Sequence, residues 1–189
     1  MGVLVDDLLF LARSGRGRPI AREPFDLARV AADAAQDARA VDPSREIVLD
    51  APAPVTVVGD EGRIRQVLAN LLSNALTHTP PGSPLIVRAG ESGGRAELAV
   101  TDHGAGLTAD EASQVFEAFY RADPSRGRVA DADGAGTGLG LAIVAAIAEA
   151  HGGDASVTSE PGQGATFIVR LPVAGPPATP SEPDEPPGA

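Results

Sequence analysis

The chain has 189 residues, 43% of them hydrophobic but only 3% aromatic, which fits one domain with a core of Val, Leu, Ile and Ala. It has no cysteine and all 15 basic residues are arginine, which excludes disulfides, thiolate metal sites, a Walker A loop, a eukaryotic-type kinase lysine and Schiff-base chemistry. A formal net charge of −11 argues against unspecific nucleic-acid binding, no apolar run reaches the roughly 18–20 residues that span a bilayer, and no basic-then-apolar leader opens the chain.

In chain order, Val3, Leu4, Leu8 and Leu11 have helical spacing, and residues 3–12 read as the end of a longer helix. A breaker stretch from Ser14 to Pro19 follows. An amphipathic helix is expected from about Asp26 to Val41, stopped by Asp42-Pro43-Ser44. Short strands are expected at Ile47–Leu49 and Val55–Val58. Asp60 opens a strong helix with Ile64, Val67, Leu68, Leu71, Leu72, Ala75 and Leu76 on one face, closed by Pro80-Pro81-Gly82. Leu85–Ala89 and Ala96–Thr101 predict a hairpin. An irregular zone runs from Asp102 to Gly136, with a short helix near Ala109–Phe119. A second strong helix spans Leu139–Glu149 and ends at His151-Gly152-Gly153. Strands at Ala155–Thr158 and Thr166–Leu171 complete the domain, and the Pro-rich acidic residues 174–189 are expected to be disordered. Strands and helices do not alternate one to one. The expected architecture is a two-layer α/β sandwich, helices on one face of a mixed sheet.

Four segments carry chemistry. Asn70 and Asn74 lie at i, i+4 on the first strong helix, in one stripe with Arg63, Gln66 and Thr77. They form either an ordinary polar face or a pair of amide oxygens for Mg²⁺ or phosphate. Asp102-His103-Gly104-Ala105-Gly106 follows a strand. It reads as a turn, or as a carboxylate that accepts an amine beside glycines that let a flat ligand approach. Gly134, Gly136, Gly138 and Gly140 alternate into the second strong helix, an arrangement that presents backbone N–H groups to phosphates without lysine, or serves as a hinge. Phe116, Phe119 and Tyr120 concentrate three of the six aromatics beside Arg121, as a satellite core or as an anchor for the stretch 122–137.

These segments, in this order, resemble the N, G1, F and G2 boxes of bacterial sensor histidine kinases: Asn70 to Thr79, Asp102 to Gly106, Phe116 to Arg121, and Gly136 to Leu141. The terminal Gly162-Gln-Gly-Ala-Thr166-Phe-Ile-Val-Arg-Leu-Pro172 is similar to the family's closing hairpin. The resemblance covers about residues 22–173 and implies the Bergerat ATP-binding sandwich, shared with gyrase-type ATPases, ninety-kilodalton heat-shock chaperones and mismatch-repair ATPases. It implies that Asp102 accepts the adenine amino group, helped through water by Thr166, and that Asn74 is the Mg²⁺ ligand. It places Asn70, His78 and Arg121 near the phosphates, with Asn70 and Arg121 taking the catalytic positions. Gly104, Gly106, Tyr120, Gly136, Thr137, Gly138, Leu139 and Gly140 then border the nucleotide. Residues 1–21 resemble the remnant of a dimerisation and phosphotransfer helix with its linker.

Thr77 departs from the family's Lys or Arg, so that one phosphate contact is either missing or supplied by a lid residue such as Arg126 or Arg128. None of His78, His103 and His151 stands in an H-box context, so the resemblance puts the acceptor histidine on an upstream domain. The implied reaction is transfer of the ATP γ-phosphoryl to that histidine, with ATP and Mg²⁺ bound here. The implied partners are the chain's own upstream domain and a response regulator, not nucleic acid. The fragment is expected to be monomeric and soluble, and the whole kinase a membrane-anchored homodimer. An amide at Asn70, where ATPase relatives carry Glu, is a poor base and argues against rapid hydrolysis. The alternatives are a nucleotide-sensing module without transfer and an anti-sigma-type serine kinase of the same fold.

Overall fold

The computed structural model describes residues 21–121 and 137–174. The expected helix at 3–12, Gly136 and nearly all of the stretch 122–137, and the tail beyond residue 174 lie outside the described residues.

Asp26 ends a four-residue strand β1 (Glu23–Asp26) and caps helix α1 (Leu27–Val41), its Oδ1 accepting the Ala28 N–H at 3.0 Å. The same oxygen accepts the Val55 N–H at 3.0 Å. Strand β1 was not expected; four residues interrupted by Pro24 give no periodic signal. The two short strands are β2 (Ile47–Asp50) and β3 (Thr56–Gly59). Although neighbours in sequence, they enter different sheets: β3 pairs antiparallel with β1, and β2 pairs parallel with β4 (Leu85–Ser92).

Helix α2 (Glu61–His78) starts at the Asp60 cap and leads to the hairpin β4 (Leu85–Ser92) and β5 (Arg95–Asp102). Gly93 and Gly94, at φ 58° and 75°, form its two-residue turn, where both centres must be left-handed. Helix α3 (Ala109–Gln114) carries a capping box between Thr108 and Glu111. It ends before Phe116, shorter than the sequence suggests. Helix α4 (Gly140–Ala150) precedes the hairpin β6 (Asp154–Ser159) and β7 (Ala165–Pro172).

The main sheet has the order β2-β4-β5-β7-β6, mixed because β2 alone runs parallel to its neighbour. Its inner face presents Leu85, Val87, Leu98, Val100, Phe167 and Val169, all buried. The apolar faces of α1, α2 and α4 cover it and complete one continuous core. The other face, with Arg88, Glu97 and Arg170, keeps contact with solvent. This is the expected two-layer sandwich, and it brings the end of β5, the outer edge of α2 and the start of α4 together.

Candidate nucleotide-binding site

Asp60 fixes the start of α2 by accepting the Arg63 N–H at 3.1 Å. Burial of Ile64, Val67, Leu68, Leu71 and Ala75 turns Asn70 and Asn74 to the edge of the helix layer, where both are half-buried. The Asn70 amide nitrogen donates to the Gly140 carbonyl at 3.2 Å, tying α2 to the first residue of α4 and leaving the amide oxygen as the acceptor a ligand can use. The Asn74 side chain makes no hydrogen bond to any described residue. Gln66 and Thr77, expected on the same stripe, fall on its far flank and line a groove of about 670 Å³ between α1 and α2. The Thr77 hydroxyl is used within its own helix, donating to the Ser73 carbonyl at 2.8 Å.

His78 ends the stripe. The residue keeps an exposed edge, but partial loss of water around the ring pushes its pKa below the ordinary 6.5. The Asp102 carboxylate pulls upward and the Arg121 guanidinium adds to the depression, so both charges lie within electrostatic reach of His78.

Asp102 closes β5 and is 8% exposed. Its Oδ1 accepts the Gly104 N–H at 2.8 Å, and no described group donates to its other oxygen. The two glycines after it answer to the protein's own packing. A Cβ on Gly104 would lie 2.9 Å from Asp102 Oδ1 and 3.0 Å from the His78 carbonyl. At Gly106, φ is 67° and a Cβ would lie 2.0 Å from the Glu160 carbonyl oxygen. At Gly164, φ is 82° and a Cβ would lie 2.1 Å from the Asp102 carbonyl oxygen. Loop 103–107 and turn 160–164 therefore lie backbone against backbone, closed by Gly162 N–H to Ala105 C=O at 2.7 Å. Gly106 and Gly164 serve this loop-on-loop contact, which no local pattern in the sequence announces. Ser159 was missed by sequence reasoning. It joins the two loops, its hydroxyl accepting from Leu107 N–H at 2.8 Å and donating to the Gly164 carbonyl at 2.6 Å. No local pattern signals a contact across 52 residues.

Thr166 is not beside the Asp102 carboxylate. Ala165 is the register partner of Asp102, and Thr166 pairs with Thr101, so its side chain projects from the opposite face of the sheet. There the two threonine hydroxyls lie 2.9 Å apart.

The aromatic segment divides. Phe116 packs edge-on against the core residue Phe167, with ring centroids 6.3 Å apart. Phe119 is 65% exposed and sits at φ 67°, an uncommon angle for a side chain with a Cβ. Its N–H donates to the Gly138 carbonyl at 3.0 Å, so the two edges of the undescribed segment are clasped. Gly138 has φ 70°, and a Cβ there would lie 3.0 Å from the Phe119 backbone and from the Tyr120 carbonyl. This clasp brings Arg121 and Thr137 to the same end of the molecule. Arg121 makes no ion pair with any described residue. Leu139, 2% exposed, anchors the start of α4, which begins without a side-chain cap, whereas Asp26, Asp60 and Thr108 cap the other three described helices. An uncapped N-terminus keeps N–H groups available to an anion.

The remaining histidines stand apart. His103 Nδ1 lies 3.1 Å from the Pro84 carbonyl. His151 is 7% exposed, caps α4 as expected, and also reaches α2: its Nδ1 lies 2.8 Å from the Ile147 carbonyl, and its Nε2 accepts the Asp60 N–H at 3.0 Å. Among the described residues no group of three His, Asp or Glu side chains converges on a metal position.

The mixed five-stranded sheet covered on one face by three helices is the architecture of the GHKL domains. The chain belongs to the family described as "Histidine kinase-, DNA gyrase B-, and HSP90-like ATPase", which it matches over residues 59–175, and within it to the catalytic ATP-binding domains of sensor histidine kinases. It is 45% identical over 173 residues to "Probable sensor histidine kinase TcrY" of Mycobacterium tuberculosis, an alignment covering 91% of this chain and 35% of that protein. It is 41% identical over 180 residues to "Sensor histidine kinase TrcS" of the same organism, covering 92% and 34%. The chain thus spans about a third of the length of these relatives. Among solved structures, full-length ShkA in complex with AMPPNP superposes with a TM-score of 0.76 at 34% identity, covering 92% of this chain and 36% of that one. The mycobacterial sensor histidine kinase MprB superposes with a TM-score of 0.68 at 31% identity, covering 80% of this chain and 97% of that one. No described helix is long and apolar enough to cross a membrane.

Proposed function

We propose that this ATP-binding domain presents Mg²⁺-ATP for transfer of its γ-phosphoryl group to a histidine on an upstream domain, within a two-component kinase that passes the phosphoryl group to a response regulator. The observation that carries this reading is the junction at α2. Asn70 bonds to the first residue of α4, and His78 on the same edge feels the charges of both Asp102 and Arg121, so three distant segments meet along one helix.

In this reading Asp102 accepts the adenine amino group on its unbonded oxygen. Asn74 contributes its amide oxygen to Mg²⁺. The donor set fits that ion: one neutral oxygen without a competing hydrogen bond, and no carboxylate cage, so that phosphate oxygens and water supply the other ligands. Mg²⁺ would there neutralise charge on the transferring phosphoryl group. Arg121, the uncapped start of α4 and the second N–H of the Asn70 amide donate to the phosphates. Imidazole needs no general base to attack, so this chain's task is position and charge compensation. Asn70 being an amide supports transfer over hydrolysis, because an amide accepts no proton from water. The whole kinase is read as a membrane-anchored homodimer and the isolated chain as a monomer.

The test uses γ-labelled ATP with this chain, alone and with a separate H-box domain from a related kinase. Label on the added domain and none on this chain is expected. Label on neither would remove the transfer reading and leave a nucleotide-sensing module, and acid-labile label on this chain alone would make one of its own histidines the acceptor and remove the upstream domain from the reading.

A further inference from the structure

His151 has no part in the chemistry above, yet it is a buried titratable side chain with both ring nitrogens engaged. Nε2 accepts the Asp60 N–H, so the fitting tautomer carries its proton on Nδ1 and donates it to the Ile147 carbonyl. Asp60 is the N-cap of α2, and its N–H is the peptide donor next to the helix start. His151 is the C-cap of α4. One imidazole therefore joins the beginning of the amide-bearing helix to the end of the helix entered by Gly138.

The close fit around the ring shows that this contact is built in. A Cβ on Gly59 would lie 2.3 Å from His151 Cδ2 and 2.7 Å from Nε2. Gly59 does not have a positive φ, so the glycine answers to the ring and not to backbone strain. The turn Gly152-Gly153 then returns the chain, with Gly153 N–H donating to the Ala148 carbonyl at 2.8 Å.

Helix α4 is tied to α2 a second time, by Asn70 to the Gly140 carbonyl at its other end. At 1.5 Å per residue the two ties stand about 15 Å apart. A helix held at one end slides or rotates against its neighbour; held at both ends it has one axial register. That register sets how far the Gly138–Gly140 backbone lies from Asn74, one turn beyond Asn70.

We propose that His151 is a positioning residue for the phosphate half of the ligand: it locks α4 in the register that places the Gly138–Gly140 N–H groups and Asn74 on one polyphosphate. This rests on reading those groups as the phosphate site. The base end does not depend on it, because Asp102 is held by β5 and turn 160–164.

The experiment is calorimetric binding of Mg²⁺-ATP and of adenosine to the wild type, His151→Ala, His151→Gln and Gly59→Ala. His151→Ala weakens ATP about tenfold, the effect of one lost hydrogen bond, and leaves adenosine unchanged. His151→Gln, whose amide oxygen can take the Asp60 N–H, recovers most of the ATP affinity. Gly59→Ala evicts the ring and reproduces the His151→Ala selectivity. Adding it to His151→Ala costs no more than either alone, since both break the same contact. Equal weakening of ATP and adenosine, or no weakening of either, overturns the proposal, because loss of folded protein does not distinguish the two ligands. If His151→Ala does not fold, Gly59→Ala decides on the same criterion, with His151→Gln expected to keep most of the ATP affinity. A wild type that binds neither ligand overturns the nucleotide reading and this inference with it. A wild type that binds both, with His151→Ala and Gly59→Ala unchanged, overturns this inference alone.

Discussion

The two ends of the site are finished to different degrees. At the Asp102 end, the protein has used its own groups. Oδ1 of Asp102 is taken by Gly104, and Ser159 bonds on both sides. Gly106 and Gly164 let two loops touch along their backbones. At the Asn74 end, groups stand without described partners: the Asn74 amide, the Arg121 guanidinium and the uncapped start of α4. A surface completed before a ligand arrives selects by shape and hydrogen-bond pattern. A surface with spare donors and acceptors supplies electrostatic energy once a polyanion and its cation enter. On the proposed reading the Asp102 end would carry specificity for the base, and the Asn74 end would carry charge compensation for the phosphates.

The largest expected effect breaks the finished end. Gly106→Ala forces a Cβ to within 2.0 Å of the Glu160 oxygen at a φ of 67°. Strain of this kind costs about 1–3 kcal/mol before the overlap is added, so a total near 3 kcal/mol or more is expected in urea unfolding. A loss below about 0.5 kcal/mol would show that loop 103–107 is not clasped as described.

Asp102→Asn comes next. It keeps an acceptor for the Gly104 N–H and so spares the fold, but it mispairs the base. Adenine-nucleotide affinity should fall by about 1–3 kcal/mol while the thermal midpoint changes little. Unchanged affinity would remove Asp102 from the site.

These two contrasts show how the sequence spoke. Asp102, Asn70, Asn74 and the glycines at Gly138 and Gly140 stand out as candidates in the sequence because each is a local pattern: a strand end, an i, i+4 pair, alternating glycines at a helix start. The sandwich followed from the order of elements. Contacts that join distant segments left no local mark. The parting of β2 and β3 into different sheets, the Ser159 bridge and the Asp60–His151 link depend on tertiary pairing alone. Thr166 illustrates the period of a strand: moving one residue along β7 turns the side chain to the other face.

A smaller effect sharpens the phosphate end. His78 has a lowered folded pKa, so below the ordinary 6.5 the unfolded chain takes up a proton that the folded chain does not. Its contribution thus destabilises the free protein as pH falls through 6.5, and vanishes above it. The effect stays small because the residue is exposed. Phosphates bound nearby would raise this pKa. NMR titration of the His78 ring should show it titrating lower in the free protein than with Mg²⁺-ATP. Identical curves would place His78 away from the phosphates.

The smallest effect concerns Thr79, whose hydroxyl is buried with no hydrogen-bond partner among the described residues. Thr79→Val keeps the shape and removes the orphaned oxygen. A gain of about 1 kcal/mol in stability is expected from thermal unfolding, and a loss of that size would mean that the hydroxyl has a partner.

The central claim is that one nucleotide bridges the finished end and the open end. It is tested most directly by calorimetry of ATP and adenosine, each with and without Mg²⁺, on the wild type and Asn74→Ala. The account predicts that Mg²⁺ strengthens ATP but not adenosine, and that Asn74→Ala abolishes this Mg²⁺ gain while leaving adenosine affinity intact. Absence of adenine-nucleotide binding, or a Mg²⁺ gain that survives in Asn74→Ala, would contradict it.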